Sequence, residues 1–189
     1  QAGKSSSIPR RSWVMKHRHG MTGTGKFMKL WGYRSTQKCP RCGHHCETAS
    51  HVTMCPAPSA IEQWKISLDK LGKDLAKCHT HPGLTRFLLS RLLEWKTRSP
   101  RKALRAIEHD LQELQDAQDD IGWDKLMFGN ISILWQEIQE KYFRELGKRN
   151  LGLRWTSALI QKLWQVAWDQ WEHRNGILHK SENLVTQAE

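Results

Sequence analysis

The chain has 189 residues, a formal net charge of +11 and five cysteines. That length holds one domain with a modest core, or a small module plus a helical domain. No apolar run approaches membrane-spanning length and no signal-type hydrophobic stretch follows the N-terminus, so we expect a soluble protein with no membrane partner.

The first eight residues, QAGKSSSI, read as a disordered lead-in, and the opening Gln in place of Met suggests a piece of a longer protein. Pro9 is placed to start a short helix over RRSWVMKHRH that Gly20 ends. Gly23 and Gly25 break the next stretch, and KFMKLWG at 26–32 is a second short amphipathic segment. A cysteine knuckle follows, closed by Pro56 and Pro58. Everything after it reads as helix. Ile61, Trp64, Leu68, Leu71 and Leu75 recur at spacings of three and four, with Ser59 as N-cap and Glu62 completing a capping box. His81-Pro82-Gly83 is a turn, and Leu84, Leu88, Leu92 and Trp95 form the next apolar stripe. Beyond Pro100 a helix carries Leu104, Ile107, Leu111 and Leu114. After Gly122 one long helix is expected to carry Leu126, Phe128, Ile131, Trp135, Ile138, Tyr142 and Leu146. The last helix runs from about Thr156 to His179. No segment alternates long enough to suggest a sheet. The expected fold is therefore mainly α: a small knuckle followed by a bundle of about five helices. We divide it into a basic arm plus metal module at 1–58 and a helical domain at 59–189.

The knuckle carries the sharpest chemistry. Cys39, Cys42, His51 and Cys55 stand at the spacing C-x2-C-x8-H-x3-C. Three thiolates and an imidazole suit a structural Zn²⁺. Gly43 permits the tight turn that aims backbone N–H groups at the sulfurs. One helical turn puts His51 and Cys55 on the same face, and Thr48 is placed to cap that turn through the His51 N–H. His44, His45 and Cys46 lie between the two halves and are the alternative ligands. Four of the five thiols fall between Cys39 and Cys55, which favours a metal site in a reducing compartment, nucleus or cytoplasm, over a disulfide framework. Cys78 stands apart and reads as a semi-buried residue at a helix end.

Charge is unevenly spread. Residues 1–55 hold ten Lys and Arg against one acid, Glu47, whereas residues 56–189 hold twenty bases and eighteen acids. A basic excess concentrated around the knuckle is the footprint of a phosphate-backbone binder. The candidate contacts are Arg10, Arg11, Lys16, Arg18, Lys26, Lys29, Arg34, Lys38 and Arg41. Ten tryptophans sit mostly on helical apolar stripes, as packing side chains. Trp13 and Trp31 are the exceptions, since an aromatic beside Arg or Lys in a basic region can stack on an unpaired base.

Several enzyme-like strings fail on inspection. Gly20-MTGT-Gly25-Lys26 nearly matches a P-loop, but Phe27 stands where the Mg²⁺-ligating hydroxyl belongs and the preceding ten residues are too basic for a buried strand. Asp119-Asp120 ends a polar helix, not the tight hairpin of a polymerase site. Cys39-Pro-Arg-Cys42 carries its proline inside the pair, where a zinc deaminase has P-C-x-x-C, and four protein ligands leave a zinc ion no open position, so deaminase chemistry is excluded. His173, Asn175 and His179 are a weak nuclease-like cluster on one helix.

The segment CPRCG…ETxxHxxxCP resembles the zinc-binding region found after the reverse transcriptase domain of non-LTR retrotransposon polyproteins and their domesticated relatives. Cys39, Pro40, Cys42, Gly43, Glu47, Thr48, His51, Cys55 and Pro56 fall on that pattern. The upstream HGMTGTGKFMKLWG is similar to the family's segment before the knuckle, and Trp168-xx-Trp171-xx-Arg174-Asn175 is similar to an element near the end of such proteins. The likeness spans perhaps a third of the chain. It departs from the family in the longer loop at His44-His45-Cys46. The chain also lacks a polymerase domain and the P-D dipeptide of the associated endonuclease. The resemblance implies binding of element RNA or target DNA without catalysis, beside an upstream polymerase domain of the same polyprotein. Two other expectations stand beside it: a protein–protein interaction domain with a structural zinc, and a cryptic nuclease.

Overall fold

The three-and-four spacing of apolar residues is realised as helices throughout. The computed structural model describes residues 7–99, 109–149 and 151–186, and among these it contains nine helices and no strand. They are α1 (Ser7–Arg18), α2 (Gly25–Leu30), α3 (Ala49–Met54), α4 (Pro58–Lys77), α5 (Pro82–Thr97), α6 (His109–Ile121), α7 (Trp123–Met127), α8 (Leu134–Glu145) and α9 (Gly152–Thr186). Residues 1–6 of the expected lead-in, and Pro100, Leu104 and Ile107, lie outside the described residues. None of the described helices is long and apolar enough to cross a membrane.

Helix ends follow local chemistry, with some corrections. α1 starts at Ser7, two residues ahead of the proline expected to open it. α4 starts at Pro58, and the Ala57 carbonyl accepts from Ile61 at 3.0 Å. Ser59 is therefore inside the first turn and is not the N-cap, because proline is already preorganised for that position. The His81-Pro82-Gly83 turn proves to be the start of α5: the His81 ring Nδ1 accepts from the Gly83 and Leu84 N–H groups. The long helix expected after Gly122 is instead α7 and α8. Gly129 divides them with φ +95°, and a Cβ there would stand 3.0 Å from the Trp164 ring. That backbone conformation and close approach favour glycine and stop the helix. α9 begins and ends beyond the expected Thr156–His179.

The chain forms two compact units, residues 1–64 with 167–189 and residues 65–166. The expected break at 58/59 treats 59–189 as one body; here residues 59–64 and 167–189 belong with the knuckle.

The unit of residues 65–166 is built on large apolar side chains. Leu71, Leu75, Leu84, Phe87, Leu88, Leu92, Leu114, Leu126, Trp135 and Leu159 are among its buried residues. Two glutamines on apolar stripes are also fully buried. Gln118 Oε1 accepts from the Ser132 N–H (3.2 Å) and from Trp135 Nε1 (3.0 Å). Gln139 accepts from the His81 N–H (2.9 Å) and donates to the His79 carbonyl (3.0 Å). Each amide satisfies backbone groups at an interhelical turn, which is why a polar side chain is tolerated in the core.

The unit of residues 1–64 and 167–189 has a different interior. Its buried apolar side chains are Trp13, Cys39, Ala49, Val52, Cys55, Ala57, Ala60, Trp64, Ala167 and Leu178. Trp13 packs edge-on against Trp168 (centroids 5.1 Å apart) and flat on His17 (4.5 Å). It is a core residue and not an available stacking platform, so that expectation is corrected. Trp31 remains 44% exposed.

Candidate metal centre and its basic surround

Residues 39–44 fold into a tight knuckle. The Gly43 N–H donates to the Cys39 carbonyl (2.9 Å), and the Cys39 N–H donates to the His44 carbonyl (2.9 Å). Gly43 sits at φ +72°, in the left-handed region that a turn this tight requires. The second half is α3, where the Thr48 hydroxyl accepts from the His51 N–H at 3.1 Å, the N-cap expected from the sequence. α3 then delivers His51 and Cys55 to the knuckle.

The ligating atoms of Cys39, Cys42, His51 and Cys55 all lie within 4.8 Å of one another. Cys39 Sγ is 3.9 Å from Cys55 Sγ, and Cys42 Sγ is 3.3 Å from His51 Nε2. Cys39 and Cys55 are buried, Cys42 is exposed and His51 is half-buried. The arrangement can hold a metal ion with four protein ligands. His44 stacks on the His51 ring (4.5 Å), with its Nδ1 3.1 Å from the Cys46 carbonyl oxygen. Among the described residues, neither it nor His45 or Cys46 belongs to the ligand cluster.

The thiols are electronically coupled. Cys39 is held far below the ordinary thiol range, first by a hydrogen bond from the Cys55 thiol, against the opposing effect of burial. The His51 ring and the backbone N–H groups of Arg41 and Cys42 add to the lowering. Cys55 is pushed up in turn by its bond to Cys39 and by burial. The donors that lower Cys39 are ones that favour its thiolate, the form in which a cysteine ligates a metal.

The knuckle is tied in by Glu47 and Arg174, which lie on the resembling segments, and by Gln170, which the sequence did not single out. Glu47, the sole acid among residues 1–55, is fully buried. Arg174 of α9, 2% exposed, donates to it through Nε (2.9 Å to Oε1) and Nη2. The same carboxylate accepts from the Gly25 N–H at 2.7 Å, and the Glu47 carbonyl accepts from the Lys26 N–H at 3.0 Å. One acid therefore caps α2 and neutralises an arginine. The close fit explains Gly25, where a Cβ would meet the Gln37 carbonyl oxygen at 2.5 Å. Gln170 forms a parallel tie, donating to the Ala60 carbonyl (3.1 Å) and accepting from Arg41 Nη1 (2.9 Å). Asn175 Oδ1 accepts from Arg174 Nη1 at 2.8 Å, so the polar string at 173–175 has a structural use. One signal was present in the sequence: Gln170 and Arg174 continue the buried stripe of Leu163, Val166 and Ala167 at helical spacing.

The nine candidate phosphate contacts divide into two groups. Arg11, Lys16, Arg18, Lys26, Lys29 and Lys38 are exposed. Arg10, Arg34 and Arg41 are half-buried, and Arg41 also donates to the Val52 carbonyl, so it braces the knuckle.

These features define an all-α chain with a Cys3His candidate metal centre set in a basic unit. Compared with known protein families, curated proteins and solved structures, the chain matches none.

Proposed function

We propose that the chain is a zinc-dependent, non-catalytic nucleic-acid-binding module of a retroelement-derived protein. The donor chemistry supports zinc. A tetrahedral ion with Zn–S near 2.3 Å and Zn–N near 2.0 Å separates two sulfurs by about 3.8 Å and a sulfur from a nitrogen by about 3.5 Å. The thiol pair at 3.9 Å and the thiol–imidazole pair at 3.3 Å need little adjustment to reach that geometry. Four protein ligands make the ion structural, with no position left for a reacting water.

The observation that carries the binding role is electrostatic. Six exposed bases precede the knuckle in sequence, while Glu47, the one acid of residues 1–55, is buried and neutralised by Arg174. Residues 10–55 therefore present positive charge without a competing exposed carboxylate. Phosphates engage Arg11, Lys16, Arg18, Lys26, Lys29 and Lys38, with Arg10 and Arg34 contributing less. The retroelement reading rests on the resemblance of the knuckle, its upstream segment and the W-x2-W-x2-R-N element. It places the chain inside the cell, in nucleus or cytoplasm, beside a polymerase domain of the same polyprotein. The interior ties linking those three segments are consistent with their forming one unit.

Binding of the metal-quantified protein to single-stranded RNA and duplex DNA across a salt series tests the proposal. Affinity is expected to fall with salt at a log–log slope of roughly −0.7 to −0.9 per phosphate contact. A flat salt response, or no binding to either ligand, sinks the reading.

A further inference from the structure

We infer that the unit of residues 1–64 and 167–189 carries a groove for an unpaired nucleotide, so that its preferred ligand is single-stranded nucleic acid, with a base stacked on Trp31 and Tyr33 and its phosphate on Lys16. The inference rests on the nucleic-acid reading above and names the form of ligand that it takes.

The groove lies between α1, the loop at 22–23, the α2–Tyr33 segment and the later turns of α9, and its volume is about 440 Å³. That falls within the roughly 300–1,000 Å³ of pockets that hold small ligands. Its wall is mostly apolar, and among the described residues no Asp or Glu lines it. Lys16, Asn175 and His179 are among its polar lining residues. Trp31 and Tyr33 are 44% and 73% exposed, unusual for large aromatics in a chain whose other nine tryptophans are buried or half-buried. Phe27 stacks beneath Trp31 (5.4 Å, 29°), which fixes the indole as a platform. Gly32 at φ +79° turns the chain so that the two aromatics flank the bend. Lys26 and Lys29, both exposed, lie on the same α2 segment.

A second groove gives the contrast that selects the occupant. In residues 65–166, a groove of the same volume is lined by Asp110, Glu113, Glu137 and Glu140 as well as Lys141 and Arg144. A polyanion is repelled there and attracted to the acid-free groove. A duplex presents no free base face, whereas an unpaired base offers its π-surface to an exposed indole, and such stacking is tolerant of sequence. Aromatic platforms bordered by lysines are how single strands are held without base-specific hydrogen bonds.

The test uses the full zinc-loaded chain with oligo(U), oligo(dT) and a duplex DNA of matched charge, and the variants Trp31→Ala, Trp31→Phe and Lys26→Ala/Lys29→Ala. Trp31→Ala is expected to weaken oligo(U) and oligo(dT) binding about ten-fold or more while duplex binding stays within about two-fold. Trp31→Phe keeps most of the single-strand affinity. The lysine pair weakens all three ligands and lowers the salt slope. Unchanged zinc content and helicity certify that Trp31→Ala folds, as an exposed position should. Equal losses for single strand and duplex, or no loss in either while salt-sensitive binding persists, overturn the groove and leave the nucleic-acid reading standing. A wild-type chain that binds none of the three overturns both.

Discussion

Among the described residues, the unit of residues 65–166 buries eighteen apolar side chains, most of them leucine or aromatic and none alanine. Among the described residues of the unit of 1–64 and 167–189, ten apolar side chains are buried, of which four are alanine and two are cysteine. Burying a leucine contributes about 2 kcal/mol and an alanine far less, so the second unit draws much less from the hydrophobic effect. What it has in place of leucine is a four-ligand cluster, a buried Glu47–Arg174 pair and the Gln170 ties. Polar and metal interactions specify geometry closely but fail when one partner is removed, whereas a leucine core degrades gradually. The two units should therefore respond to different perturbations.

Loss of the metal ligands is expected to have the largest effect. Structural zinc contributes about 10 kcal/mol to folding in small zinc modules. Cys39→Ser should abolish stoichiometric zinc and strip hydrogen-exchange protection from the knuckle and α3, while amides of α5 and α8 stay protected. A variant that keeps its zinc refutes the ligand assignment. Acid should act in the same direction, since protons compete with the metal for thiolate and imidazole; zinc release followed by a chelating dye should rise as pH falls.

Breaking the buried ion pair comes next. Arg174→Ala leaves Glu47 charged and unpaired in the interior, at a cost of about 3–5 kcal/mol. Arg174→Lys should recover little of this, because Nε and Nη2 both reach the same carboxylate, a geometry that an ammonium cannot reproduce. The double change Glu47→Gln/Arg174→Met should cost much less than Arg174→Ala. Denaturant titration of the three variants measures the order.

In the leucine-built unit the corresponding weak point is Gln118. Gln118→Ala leaves the Ser132 N–H and the Trp135 indole N–H buried without an acceptor and should cost about 1–3 kcal/mol. Zinc content should not change. If Gln118→Ala lowered zinc occupancy as much as Arg174→Ala, the distinction between the units would fail.

The smallest effect belongs to the surface. The Asp110 carboxyl is held below its ordinary range by the hydrogen bond from Lys141 (2.8 Å) and by that lysine's charge. Its contribution is present above the unfolded carboxyl pKa and lost as pH falls through the lower folded value. Both groups are exposed, so solvent screens them, and Asp110→Asn should stay within about 0.5 kcal/mol of wild type.

Legibility in the sequence tracks how local the physics is. The ligand spacing, the Thr48 cap and the stripe of Trp64, Leu68, Leu71 and Leu75 depend on residues within a turn or two of one another, and each is present as read. Gly129 was not legible as a break, because what demands it is the Trp164 ring thirty-five positions away. Trp13 was placed among basic neighbours by sequence but lies among Trp168 and Trp171 in space. Glu47 falls on the resembling zinc-segment pattern, but the sequence names no partner for it. Its role requires Arg174, which lies on the resembling W-x2-W-x2-R-N element and on the buried stripe of α9, 127 positions away.

The most direct test of the account is to compare nucleic-acid binding by the zinc-loaded chain and by the same preparation after chelation, with zinc readdition as the control. The account predicts one zinc per chain, salt-sensitive binding that chelation removes, and recovery on readdition. Full binding by the metal-free chain, or stoichiometric zinc with no binding at low salt, contradicts it.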